Sequence, residues 1–161
     1  MPVGEDVLAR LLHVAVIDAD PDEVTPALDA SGSWTARRRA WLLDYHRARR
    51  PGLAGPCAEA TWAVLHGAEV VGAVRLHATG APGTVELGIW LGRSSRGQGV
   101  GPRAVARAVE TARAAGATVL LARTTTGNRA ARALLASLGA HETVAGDDVT
   151  ARIPLRPRSL S

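Results

Sequence analysis

The stretch Arg96-Gly97-Gln98-Gly99-Val100-Gly101-Pro102 restricts the fold more than any other part of the chain. Before it, apolar residues recur at every second position, as in a strand; after it they recur every three to four, as in a helix. A strand must therefore pass directly into a helix through three spaced glycines. Gly97, Gly99 and Gly101 let the backbone approach a ligand without Cβ obstruction and take positive φ where needed. Their amides, together with the free amides of the following helix, can point at one place. A helix N-terminus adds partial positive charge, so a diphosphate is the natural guest, with Arg96 supplying a formal charge beside it. Pro102 suits the first helical position, although it removes one donor. The dinucleotide pattern GxGxxG would need a glycine where Pro102 stands, and an earlier place in the chain than after three strands. The plain alternative is a merely flexible loop, but three glycines at such a junction are costly without a ligand.

Around this junction the chain alternates between elements. Val7–Ile17 is apolar and reads as a first strand, with a short helix as the alternative. Asp20 caps a helix begun by Pro21, with acids in its first turn. Ser31-Gly32-Ser33 breaks the chain, and Thr35–Arg49 is a second helix stopped by Pro51-Gly52. Trp62–His66 and Glu69–Ala78 read as strands about a Gly67-Ala68 turn, and Thr84–Leu91 as another after Gly80-Ala81-Pro82-Gly83. Pro102–Ala115 is a helix with Val105, Val109 and Ala112 on one face. Thr118–Ala122 is a short apolar strand of the kind buried on both sides in a parallel crossover. Asn128–Leu138 is a further helix, with Ala131, Leu134, Leu135 and Leu138 as its stripe and Gly139 at its end. His141–Val144 and Val149–Leu155 close as an antiparallel pair. With no repeat and no linker, residues 1–155 form one domain, and Arg156–Ser161 is a loose tail.

Composition narrows the chemistry. The chain has 161 residues, and none of its 19 basic residues is lysine. That excludes a Walker A loop, a pyridoxal Schiff base and a lysine nucleophile. The single Cys57 excludes a disulfide framework and multi-cysteine metal sites, and the histidines never fall at i, i+4, so no metal is expected. A net charge of +4 raises the question of nucleic acid. The densest arginine run, however (Arg37-Arg38-Arg39 with Arg47, Arg49 and Arg50), shares an amphipathic segment with Trp41 and Leu42 and reads as a solvated helix face. Nucleic acid is therefore not an expected partner. No signal-type stretch and no membrane-length apolar run is present, which predicts a cytoplasmic protein without membrane association.

Arg96-Gly97-Gln98-Gly99-Val100-Gly101 matches the [Q/R]-x-x-G-x-[G/A] signature of the GNAT N-acetyltransferases. Asn128-Arg129-Ala130-Ala131-Arg132-Ala133-Leu134-Leu135-Ala136-Ser137-Leu138-Gly139-Ala140 resembles the second motif of that family, an Asn-led helix closing in Gly plus an apolar residue. Glu86-Leu87-Gly88-Ile89-Trp90-Leu91 looks most like the branch containing ribosomal-protein N-terminal acetyltransferases, and some antibiotic acetyltransferases look similar. The resemblance spans about Thr61–Pro154. It implies an α/β (α+β) GNAT fold: a mixed, mostly antiparallel sheet of six to seven strands, splayed between strands 4 and 5, with about four helices. It also implies acetyl-CoA as co-substrate, with Arg96, Gly97, Gln98, Gly99, Val100 and Gly101 on the diphosphate, Ile89, Trp90 and Leu91 along the pantetheine, and Asn128 and Ala131 near the CoA arm. Where many relatives carry a tyrosine that protonates the leaving thiolate, this chain has Leu135.

On the acceptor side, alternation puts Glu86, Gly88 and Trp90 on one face of Thr84–Leu91. A carboxylate, a gap and an indole would suit a small cationic amine, the acid taking its proton and the ring holding the cation. Antiparallel pairing about the turn flanked by Thr79 and Thr84 sets His77 opposite Glu86, so the two form a candidate dyad, with a cross-strand ion pair as the plain reading. Trp34 and Tyr45 come from the helical region that walls the acceptor groove in the family. The expected function is transfer of an acetyl group to a primary amine of a small molecule by direct attack. The alternatives are acetylation of a protein N-terminus and a non-catalytic acyl-CoA sensor. A monomer or homodimer is expected.

Overall fold

The structure, a computed structural model, describes residues 1–155. Its first element corrects the sequence reading: Glu5–Asp18 is a helix, α1, and not a strand. The residues it buries, Leu8, Leu11 and Ala15, fall at i, i+3 and i+7. Leu, Ala and Arg are strong helix formers, and Glu5 and Asp6 favour a helix N-terminus. A run that is apolar nearly throughout hides that stripe.

The remaining elements follow the predicted order. They are α2 (Pro21–Val24), α3 (Ala36–Ala48), β1 (Glu59–His66), β2 (Glu69–Ala78), β3 (Thr84–Leu91), α4 (Val100–Ala114), β4 (Val119–Thr125), α5 (Arg129–Ser137), β5 (His141–Ala145) and β6 (Asp148–Pro154). Asp20 caps α2 through the Asp22 amide, and Thr35 caps α3 through the Arg38 amide. Between β3 and α4, Arg93–Ser95 forms a 3-10 turn, and α4 begins at Val100, two residues before the expected start at Pro102.

Six strands form one sheet in the order β1-β2-β3-β4-β6-β5, antiparallel except where β3 meets β4. This is the expected fold, with six strands, within the expected six to seven, and one helix more because α1 stands where the first strand was expected. The predicted tail, Arg156–Ser161, lies outside the described residues.

Cores lie on both faces of the sheet. On one face α4 and α5 cover Leu76, Val85, Leu87, Leu120, Ala151 and Ile153. On the other, α1 packs Leu8 and Leu11 against Ala63, Val70 and Ala73. Beside α1, α3 is tied to β1 by the Tyr45–Glu59 and His46–Thr61 bonds. The segment between α2 and α3 is organised by Arg38, which is 1% exposed and reaches Asp22 at 2.7 Å, Asp29 at 3.4 Å and the Thr25 hydroxyl at 3.2 Å.

Candidate active site

The sheet parts between β3 and β4. Their parallel register runs from Thr84↔Val119 to Leu87↔Ala122 and stops, while β3 continues to Leu91 and β4 to Thr125. The hydrogen-bond phase of β3 decides what faces this gap. Gly92 donates to Val71 and Thr79 donates to Thr84. By antiparallel alternation, Glu86, Gly88 and Trp90 therefore turn their backbone groups to β2, and Ile89 and Leu91 turn theirs toward the gap. Trp90 thus presents its indole, not its amide, to the site. The Ile89 side chain, 39% exposed, borders the same opening.

At the end of β3 the chain enters α4 through Gly97 (φ +72°) and Gly99 (φ +76°), the left-handed region that glycine adopts readily. Among the described residues, no protein acceptor takes the amides of Gly97, Gln98, Gly99, Val100 or Gly101. These donors stand at the positive end of a fifteen-residue helix. The Gln98 side chain donates to Ser94 O at 2.7 Å. Arg96 is not turned toward the free amides: its guanidinium donates to Leu91 O at 3.0–3.1 Å and to Glu23 at 2.5 Å, tying the loop to α2. Asn128 caps α5, accepting from the Ala131 amide at 3.1 Å, so both residues are engaged in the cap. Leu135 is 5% exposed and sits in the core.

On the α3 side of β3 lies a cavity of about 490 Å³ between α2, α3 and the sheet, lined by Glu23, Trp41, Tyr45, His46, Glu59, Thr61, Arg75, Gly88 and Trp90 among others. Tyr45 stacks on Trp41 and donates its hydroxyl to Glu59. Burial and that bond push the Tyr45 phenol well above its ordinary range. Burial also pushes Glu59 up, but the Tyr45 hydroxyl and Arg49 outweigh it and leave the carboxyl below its usual value. His46, 2% exposed, shares a 3.0 Å bond between Nδ1 and Thr61 Oγ1, and burial lowers its pKa to about 4.

Three sequence expectations change here. Trp34 does not line the cavity; its indole donates to Ala19 O at 3.0 Å, and Trp41 is the tryptophan of α3 that forms the wall. Gly88 leaves no gap for a substrate, because the Arg75 side chain fills the space above it: a Cβ there would lie 2.5 Å from Nε. His77 does pair with Glu86 in register. Yet the Glu86 carboxylate is bound by Arg75 at 2.7 Å and Arg123 at 3.5 Å, and His77 Nδ1, buried, has no hydrogen-bond partner. Arg75, Glu59, Trp41 and His46 were absent from the expected site. The one available signal was that Arg75 shares the face of His77, two residues away.

The chain belongs to the GNAT acetyltransferase domain family, whose model matches residues 5–141. Among solved structures, it is similar to a ribosomal-protein-alanine N-acetyltransferase from Brucella melitensis (22% identity, covering 94% of this chain and 96% of that one, TM-score 0.64). It is also similar to yncA of Salmonella typhimurium, solved with its cofactor acetyl-CoA (19% identity, 100% and 95% covered, TM-score 0.69). A third is the paia N-acetyltransferase of Thermoplasma acidophilum in complex with coenzyme A (12% identity, 96% of each chain, TM-score 0.66). At these identities the likeness is one of fold. No curated protein matches the sequence. Among the described residues no group of acidic, histidine or cysteine side chains could hold a metal, and no helix is long and apolar enough to cross a membrane.

Proposed function

We propose that the chain transfers the acetyl group of acetyl-CoA to a primary amine of a small molecule, by direct attack with both substrates bound. The observation that carries this reading is the row of unengaged amides from Gly97 to Gly101 beside the parted strands. Those amides and the α4 N-terminus suit a diphosphate. The open edge of Ile89–Leu91 suits the amide-bearing pantetheine arm, as a strand edge suits an extended chain. Asn128, as the cap of α5, shapes the far wall of the gap. The cavity on the α3 side, about 490 Å³ and lined by aromatic and apolar side chains with a few polar groups, is of the size that takes a small molecule.

Acetyl-CoA supplies the thioester carbonyl. The Leu91 amide is the donor placed for the developing oxyanion, because the Trp90 amide is paired to β2. Glu86, held by two guanidiniums, is a structural carboxylate, so water in the cavity takes the ammonium proton. Leu135 offers no proton to the leaving thiolate, whose thiol has an ordinary pKa of about 8.5 and so needs little assistance.

The test is thiol release from acetyl-CoA with a panel of amines; binding without release would mark an acyl-CoA sensor instead. In the same assay, Glu86→Gln and His77→Gln are expected to keep the acidic limb of kcat/KM against pH. Loss of that limb in either variant would make its residue the base.

A further inference from the structure

Among the described residues, each carboxylate in or beside the acceptor cavity already carries an arginine. Glu23 lies 2.5 Å from Arg96, and Glu59 lies 2.6 Å from Arg49 and 3.4 Å from Arg75. Glu86 lies 2.7 Å from Arg75 and 3.5 Å from Arg123. A polycation entering the cavity would find arginines and no unpaired counter-charge.

Arg75 forms the floor. Its side chain crosses Gly88, and its two terminal nitrogens are tied to Glu59 on β1 and Glu86 on β3. A guanidinium held by its edges in this way offers the cavity its face, not its donors, so a carboxylate ligand would gain little from it. The lining includes three large aromatic side chains, Trp41, Tyr45 and Trp90. Beside the cavity, the Arg49 guanidinium lies 3.7 Å above the Tyr45 ring, a face-on contact of this kind. A planar cation between aromatic walls is a seat for a ring. From Gly88 to Leu91, where the oxyanion donor lies, the strand spans roughly 10 Å, which a ring bearing a chain of two or three atoms can cover.

We propose that the acceptor is an aromatic monoamine, with one primary amine on a short chain from the ring, and that Arg75 selects the ring by stacking. This rests on the acetyltransferase reading above. The experiment compares 2-phenylethylamine, 2-cyclohexylethylamine and spermidine, by thiol release and by calorimetric titration in the presence of coenzyme A. The wild type should favour 2-phenylethylamine over both others by about tenfold in kcat/KM, between the sizes of an exposed and a desolvated cation–π contact. Arg75→Lys keeps the charge for Glu59 and Glu86 but has no planar face, and should cut the preference for phenyl over cyclohexyl to about twofold, with acetyl-CoA affinity unchanged. Trp41→Leu, which leaves the Arg75 network intact, should also reduce that preference, and it decides the matter if the Arg75 variant does not fold. Equal use of the two rings, preference for spermidine, or a preference that survives both variants would overturn the proposal. If no amine releases thiol, the acetyltransferase reading falls. The titrations then decide the cavity alone: a ring preference lost in the variants upholds the assignment to Arg75, and its absence in the wild type refutes it.

Discussion

At Gly99 the backbone takes φ +76°, with nothing within 4 Å of where a Cβ would stand. Substitution there is therefore opposed by conformation and by what approaches from outside, not by a clash within the protein. Gly99→Val is expected to weaken acetyl-CoA binding about tenfold or more, because a β-branched residue resists the left-handed region; unchanged affinity by calorimetry would refute the assignment of the loop. Gly88 is the opposite case. Its Cβ would strike Arg75 2.5 Å away, so Gly88→Ala should raise the KM of the amine several-fold and leave that of acetyl-CoA alone, measured by initial rates. The contrast explains which residues were legible in the sequence. The glycines of the loop and the facing of His77 and Glu86 follow from local rules of spacing and pairing, and those rules read correctly. What fills the space above Gly88 depends on how a long side chain two strands wide is anchored, and alternation names a face without naming its occupant. Trp34 and Trp41 are likewise equivalent in the sequence until the start of α3 decides which one looks inward.

Helix α3 links the acceptor cavity to stability through His46. The folded imidazole, buried against Thr61, resists protonation down to about pH 4, whereas an unfolded one takes its proton near pH 6.5. Between those values the unfolded chain binds more protons, so stability falls as pH drops from about 6.5 to 4, by on the order of 3 kcal/mol. Below that window this residue contributes nothing further. His46→Gln should flatten the slope in that window, followed by urea unfolding. It should retain the later loss belonging to carboxylates such as Asp29, which Ser31 and Thr35 hold at about 2. Among the elements, α4, α5 and the β2–β3 hairpin were legible because their period or turn chemistry is unambiguous. For α1 the period was obscured: exposed Ile17 and half-buried Val16 sit among the buried positions, and a helix that is apolar nearly all round reads as a buried strand.

Taken whole, the molecule is two cores on one sheet that opens along the line between β3 and β4. A ligand that fills that opening binds only the folded chain. Acetyl-CoA at a hundred times its dissociation constant should stabilise by about 2.7 kcal/mol and raise Tm by about 5–10 °C, and Gly99→Val should show a smaller rise at the same concentration. The parted line has another side. The peptide groups of Ile89 and the amide of Leu91 are held out where no neighbouring strand receives them, which amounts to a short length of raw selvage within the sheet, able to stick to any extended chain that drifts by. A coenzyme arm laid along it is then a hem as well as a reactant. Stocks freed of coenzyme A should cloud on standing sooner than stocks kept with it, and light scattering over days would record the difference in shelf life.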